Sequence, residues 1–167
     1  MIQKCYPKYC VKTIYELDRD FYSANNIKAV IFDIDNTLVT HDTPVPPSEL
    51  LEYFEKLGQW GIKYAIASNN KRSRVELFSR DLGVPYIHRA FKPRKAPLKR
   101  LVRHFGIDAA NVCLVGDQLF TDVYGANRMG FVSVLVTAVG EDETGFVSFK
   151  RVFERMLMKQ YNKSRQG

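Results

Sequence analysis

The chain predicts a three-layer α/β/α sandwich with a central parallel sheet, on three observations. Short apolar, β-branched runs recur along it, segments of helical period separate them, and three of the runs end at Asp33, Ser68 and Asp117. Strands and helices that alternate in this way need crossover connections. These are right-handed in nearly all proteins and lay helices on both faces of a parallel sheet. Such sheets bind ligands beyond the carboxyl ends of their strands, where all three polar residues fall.

Residues 1–27 are expected as an N-terminal extension packing on the core. The first strand spans 28–32. A helix over 48–60 follows Pro46 and Pro47, with Ser48 as its N-cap. A strand over 63–67 leads to a helix over 73–82 that stops at Gly83. A weak strand over 85–87 precedes a helix over 97–105 that stops at Gly106, and strands over 112–115 and 132–136 complete the sheet. Phe149, Val152, Phe153, Met156, Leu157 and Tyr161 fall on one helical face and predict an amphipathic helix over 147–161, with 162–167 disordered beyond it. Six Lys or Arg stand against the single acid Glu154 from 150 to 167, so this helix either docks on the core or lies on a membrane surface.

A chain of 167 residues suits a single domain over 1–167. Its net charge of +7 favours anionic partners without choosing among nucleic acid, phospholipid and phosphorylated substrate. Cys5, Cys10 and Cys113 have neither metal-like spacing nor an even-numbered framework, which suggests a reducing compartment and a cytoplasmic protein. No apolar run approaches the roughly 18 to 20 residues that span a bilayer, and the N-terminus lacks a signal-peptide core.

Four separated segments carry the chemistry. In Asp33-Ile34-Asp35-Asn36-Thr37 an apolar strand ends in two carboxylates one residue apart. If the strand stops at Asp33, Asp35 swings into a loop, so that one acid can attack or bind metal while the other moves a proton. The second segment, Ser68-Asn69-Asn70, could hold phosphate oxygens through the hydroxyl and the backbone N–H groups that follow, although Ser-Asn is equally an ordinary strand exit. The third, Lys92-Pro93-Arg94-Lys95, crowds three cations into four positions. Lys92 is chosen as the charge-neutralising residue because Pro93 restricts its backbone, with Lys95 in reserve. In the fourth, a strand delivers Asp117 beside Gly116, and Asp122 follows five positions later as a metal-shell residue or a helix cap. Carboxylates on adjacent strand ends suit Mg²⁺, a hard cation that takes oxygen ligands.

The four segments, in this order, resemble the haloacid dehalogenase (HAD) superfamily of phosphohydrolases, which implies a Rossmannoid fold. By that resemblance Asp33 is the nucleophile that forms an aspartyl-phosphate, and Asp35 is the general acid and base. Ser68, with Asn69 and Thr37, binds the phosphoryl group, and Lys92 neutralises charge. Asp117 ligates Mg²⁺ with Asp33 and the main-chain carbonyl of Asp35, and Asp122 supports the metal shell. Only 32 residues separate Asp35 from Ser68 and 23 separate Ser68 from Lys92. The spacing therefore resembles the capless subclass IIIA, whose open site suits a phosphate presented by something large.

A closer likeness is to the YqeG-type bacterial family and the related mitochondrial phosphatidylglycerophosphate phosphatases, on Asp33 to Leu38, Lys92-Pro93 and Gly116 to Asp122. It implies release of the terminal phosphate of phosphatidylglycerophosphate, an anionic phospholipid substrate and peripheral contact with the inner face of the membrane. Two rivals are a soluble phosphatase of sugar phosphates or nucleotides, and a non-catalytic nucleic-acid-binding domain. No RNA-binding signature or recognition-helix pattern supports the second, so no nucleic-acid partner is expected.

Overall fold

A computed structural model describes residues 2–139; the expected tail helix and terminal segment lie outside the described residues. Six strands form one fully parallel sheet: β1 (Tyr9–Val11), β2 (Ala29–Phe32), β3 (Lys63–Ala67), β4 (Tyr86–Ile87), β5 (Val112–Gly116) and β6 (Val132–Val136). Their spatial order is β1-β6-β5-β2-β3-β4. The chain runs outward from β2 through β3 to β4, then returns to the other side of β2 with β5. The strand order thus reverses beside β2, the place where open α/β sheets bind ligands.

Successive side chains of a strand point to opposite faces, and β2 divides accordingly. Val30 and Phe32 enter one apolar cluster with Tyr22 of α1 (Arg19–Ala24), Leu50, Phe54 and Leu57 of α2 (Ser48–Gln59) and Val75 and Phe78 of α3 (Arg72–Leu82). Ala29 and Ile31 enter the other, with Leu98, Leu101 and Phe105 of α4 (Lys95–Phe105) and Ala126 of a short helix over Tyr124–Met129. Both faces are therefore covered, which is why every residue of β2 and β5 is buried and both strands read as continuous apolar runs. Leu98, Leu101 and Phe105 recur at helical spacing on the buried side of α4, whose exposed side carries Lys99, Arg100 and Arg103.

Several boundaries differ from expectation. The first 27 residues supply an edge strand, since β1 pairs in parallel with β6, Tyr9 opposite Val134. Three residues are too few for a periodic signal, and neighbours create this strand. Helix α4 begins at Lys95, two residues early, because proline fits the first helical turn, where its missing N–H has no partner to lose. Ser48 is the first helical residue of α2, and Pro47 occupies the cap position. Helices α3 and α4 end on Gly83 and Gly106 at φ of +62° and +64°, the left-handed stop that glycine adopts without strain.

Candidate active site

Asp33, Asp35, Ser68, Asn69, Lys92, Asp117 and Asp122 gather at the carboxyl end of the sheet. Strand β2 stops at Phe32, and the Asp33 N–H still donates to the Val115 carbonyl at 3.0 Å, so Asp33 stands at the strand tip. Beyond it the chain turns sharply. Asn36 takes a left-handed φ of +60°, its N–H donates to the Val39 carbonyl at 2.7 Å, and the Thr37 and Leu38 N–H groups donate to the Ile34 carbonyl. Asp35 thus leaves the strand, as the two-carboxylate reading requires.

Lys92 is held in place by the neighbouring loop. Its N–H donates to the Asn69 side-chain oxygen at 2.7 Å, the Asn69 amide donates to the Lys92 carbonyl at 3.3 Å, and the Ala90 N–H donates to the Ser68 carbonyl at 2.9 Å. The Lys92–Pro93 peptide is cis. Lys92 is only 5% exposed, and its ammonium lies 2.9 Å from Asp33 Oδ1 and 2.7 Å from Asp122 Oδ1, whereas Lys95 is exposed at the start of α4.

Asp122 sits in a wide turn over Leu119–Val123 and is fully buried. Its Oδ2 accepts from the Gln118 N–H at 3.1 Å and the Thr121 hydroxyl at 3.3 Å, while Oδ1 faces Lys92. Asp122 thus lies inside the turn and not at a helix cap, with one oxygen stabilising that turn and the other facing the ammonium. A Cβ on Gly116 would stand 2.3 Å from Asp122 Cγ, so β5 must end in glycine for this carboxylate to fit.

One carboxylate oxygen each of Asp33, Asp117 and Asp122 lie within 4.8 Å of one another. Burial drives the Asp33 carboxyl up to about 6; the Lys92 ammonium opposes this and Asp122 and Asp35 reinforce it. Burial likewise drives Asp117 up to about 8, aided by Asp122 and Asp33. Burial works to lower the Lys92 value, but Asp122 and Asp33 outweigh it and hold the lysine above its ordinary range. Three ionised carboxylates beside one ammonium leave two negative charges uncompensated. An all-oxygen donor set with that deficit fits one hard divalent cation such as Mg²⁺.

An open cleft of about 370 Å³ lies over this cluster, lined by Asp33, Asp35, Ser68, Asn69 and Lys92 together with Asn36, His41, Asn70, Gln118 and Thr121. The buried Ser68 hydroxyl accepts the Asn70 N–H at 3.2 Å, which leaves its own hydrogen to donate. Thr37, expected at the phosphate, stands behind the cleft, where its hydroxyl donates to Asp117 Oδ1 at 3.3 Å. The Asp35 carboxylate stays outside the acidic cluster, so any contact of Asp35 with a metal falls to its main-chain carbonyl.

Around Asp35, Arg74 and His41 escape sequence reading, as does the contact made by Asn70. Arg74 reaches Asp35 Oδ1 through Nη2 at 3.1 Å and Nε at 3.2 Å, Asn70 donates to Oδ2 at 3.0 Å, and His41 Nδ1 lies 3.5 Å from Oδ1. Arg74 is itself fixed: Nη1 donates to the Pro44 carbonyl at 3.1 Å, and its guanidinium lies 5.2 Å from the Phe78 ring centre. The available signal is helix phase, since Arg74 and Phe78 are four apart on α3.

A profile of the mitochondrial PGP phosphatase family matches residues 2–139. The chain is 38% identical over 159 residues to "Probable phosphatase YqeG" of Bacillus subtilis (strain 168), covering 95% of this chain and 92% of that protein. It is 26% identical over 169 residues to "Phosphatidylglycerophosphate phosphatase 1, chloroplastic/mitochondrial" of Arabidopsis thaliana, covering 93% of this chain and 47% of that protein, so it spans about half the plant relative's length. Among solved structures, the cobalt-bound deoxy-D-mannose-octulosonate 8-phosphate phosphatase of Haemophilus influenzae shares the fold. Its TM-score is 0.53 at 19% identity, over 84% of this chain and 92% of that one.

Proposed function

The chain belongs to the mitochondrial PGP phosphatase family and is a phosphatase, and on that premise we propose that it hydrolyses the terminal phosphomonoester of phosphatidylglycerophosphate through an aspartyl-phosphate on Asp33. The observation that carries the reaction is the meeting of Asp33, Asp117 and Asp122 around the Lys92 ammonium at the strand ends. The relatives support the lipid substrate. So does the chain between Asp35 and Ser68, which holds α2 and β3 and no cap domain.

In this reading Ser68 and Asn69 hold the phosphoryl oxygens, and the Asp33 carboxylate attacks phosphorus as the P–O bond to the glycerol breaks. Asp35 gives its proton to the departing alkoxide, then takes one from the water that attacks the aspartyl-phosphate. Phosphate leaves, Asp33 is restored, and the difficult step has been split in two. Lys92 offsets negative charge on Asp33 and on the transferring group throughout. Mg²⁺, held by Asp33, Asp117 and the Asp35 carbonyl, with Asp122 behind them, would supply Lewis-acid stabilisation of the phosphoryl charge. Thr37 supports Asp117, and Arg74, Asn70 and His41 orient Asp35.

No helix among the described residues is long and apolar enough to cross a membrane. With the lipid substrate we propose peripheral contact with the membrane from the cytoplasmic side. The test is phosphate release by the purified chain from phospholipid, sugar and nucleotide monoesters, with and without Mg²⁺. Phosphatidylglycerophosphate should be preferred at least tenfold and only with the metal. A sugar phosphate or nucleotide turned over faster would replace the lipid reading with a soluble phosphatase.

A further inference from the structure

Phe91 has the most exposed large apolar side chain among the described residues, at 55%, and it stands one position before the buried Lys92. Its φ of +48° lies in the left-handed region that non-glycine residues seldom occupy. The turn that sets it is closed by the Arg94 N–H donating to the Phe91 carbonyl at 2.9 Å. The Arg94 guanidinium lies 5.3 Å from the ring centre. The same loop is tied to the cleft wall, because the Arg89 N–H donates to the Asn70 carbonyl at 2.9 Å and Asn70 lines the cleft.

Cations are dense in this stretch of chain. Seven Lys or Arg and no acid occur from 89 to 103, and all except Lys92 are exposed. Arg89, Arg94 and Lys95 are nearest in the chain to Phe91, and Lys71 is exposed on the adjoining loop. Asp35 in the cleft wall pairs with Arg74, and Glu76 on α3 pairs with Arg72. An exposed aromatic ring with a guanidinium beside it, in a stretch whose charges are all cationic, matches an anionic lipid surface, where apolar groups enter the acyl boundary and cations meet headgroups.

We propose that the loop over 88–94 docks the open cleft onto an anionic bilayer, with Phe91 as the inserted anchor and Arg89, Arg94 and Lys95 as headgroup contacts. This rests on the lipid-substrate reading and adds the surface that delivers the substrate. Because the anchor adjoins Lys92, insertion places the bilayer surface at the cleft mouth. Each basic residue near such a surface strengthens partition about fivefold, and an inserted phenyl ring adds about tenfold.

The experiment is co-sedimentation of the full chain with phosphatidylglycerol/phosphatidylcholine vesicles and with phosphatidylcholine alone, in about 0.1 M salt. Release of phosphate from water-soluble p-nitrophenyl phosphate is followed in parallel. Wild type should bind only the anionic vesicles. Phe91→Ala should bind about tenfold more weakly, Phe91→Trp should bind like wild type, and both should hydrolyse the soluble ester within twofold of wild type. Anionic-vesicle binding unchanged in Phe91→Ala would overturn the proposal, as would equal binding to neutral vesicles. Tight binding to single-stranded RNA that falls in the same way in Phe91→Ala would also overturn it, in favour of a nucleic-acid surface. Detergent-dispersed phosphatidylglycerophosphate separates the two readings. If it is hydrolysed by a protein that ignores vesicles, the docking surface fails and the substrate assignment stands. If vesicles bind through Phe91 but the lipid is not hydrolysed, the substrate assignment fails and the docking surface stands.

Discussion

Stripping the metal from this protein should make it less stable as pH rises from 5 to 8.5, the reverse of ordinary acid denaturation. In the metal-free chain Asp33 and Asp117 are raised from 3.8 to about 6 and about 8. A carboxyl whose folded value is raised keeps its proton in the folded state while the unfolded chain has already lost it. Below about pH 4 neither state is ionised and there is no cost. The cost then grows until pH passes the folded value, near 6 for Asp33 and near 8 for Asp117. The Asp33 rise corresponds to about 3 kcal/mol and that of Asp117 to about 6 kcal/mol. Mutual repulsion is counted in both, so the total lies below their sum, at about 6 kcal/mol. Asp42 and Glu76 are held below their ordinary values by the Thr40 hydroxyl and Arg72, so their contribution has the opposite sign and belongs to the acid end of the range. Urea unfolding in EDTA should therefore show stability falling by about 3 to 6 kcal/mol between pH 5 and 8.5. Mg²⁺ at about 100 times its dissociation constant should restore about 2.7 kcal/mol at the alkaline end. At pH 5 its gain should be far smaller, because protons compete for the same oxygens. Asp117→Asn should remove the part of the slope above pH 6. A flat profile in EDTA, or an Mg²⁺ gain equal at both ends, would refute the picture of a buried acid cluster awaiting a cation.

Asp33→Asn should lower phosphate release by at least about 10³-fold with an unchanged circular dichroism spectrum, because an amide is no nucleophile; wild-type turnover would eliminate the covalent route. Arg74→Met removes the clamp on Asp35 and should reduce kcat about 100-fold with KM within threefold, a split measured by steady-state kinetics, and Arg74→Lys should recover only part of it because the fork geometry is lost. Gly116→Ala drives a methyl group into the Asp122 carboxylate and should cost about 2 to 3 kcal/mol in urea unfolding while weakening the Lys92 contact that the phosphatase assay reads.

How much was legible depended on whether the signal was local. The β2 and β5 runs are apolar throughout because both faces of a parallel sheet are covered, so the strands and the α/β/α class could be read directly, and the acids that end them announced the site. Pro93 singles out Lys92 over Lys95 in the sequence, and the fold buries Lys92 between Asp33 and Asp122 because its loop is pinned to Ser68 and Asn69. Other features depend on chain segments far apart in the sequence. The edge strand Tyr9–Val11 exists because β6, more than 120 positions later, offers its hydrogen-bonding edge. The Arg74 clamp on Asp35 spans 39 positions and follows from the rotational phase of α3. Thr37 turned toward Asp117 because a left-handed Asn36 redirected the chain behind the cleft. Local pattern, in short, records which residues are buried and where strands stop, since burial and chain reversal act on neighbours in sequence. Which carboxylate shares which cation is a property of distances across the sheet, and only the assembled fold contains them.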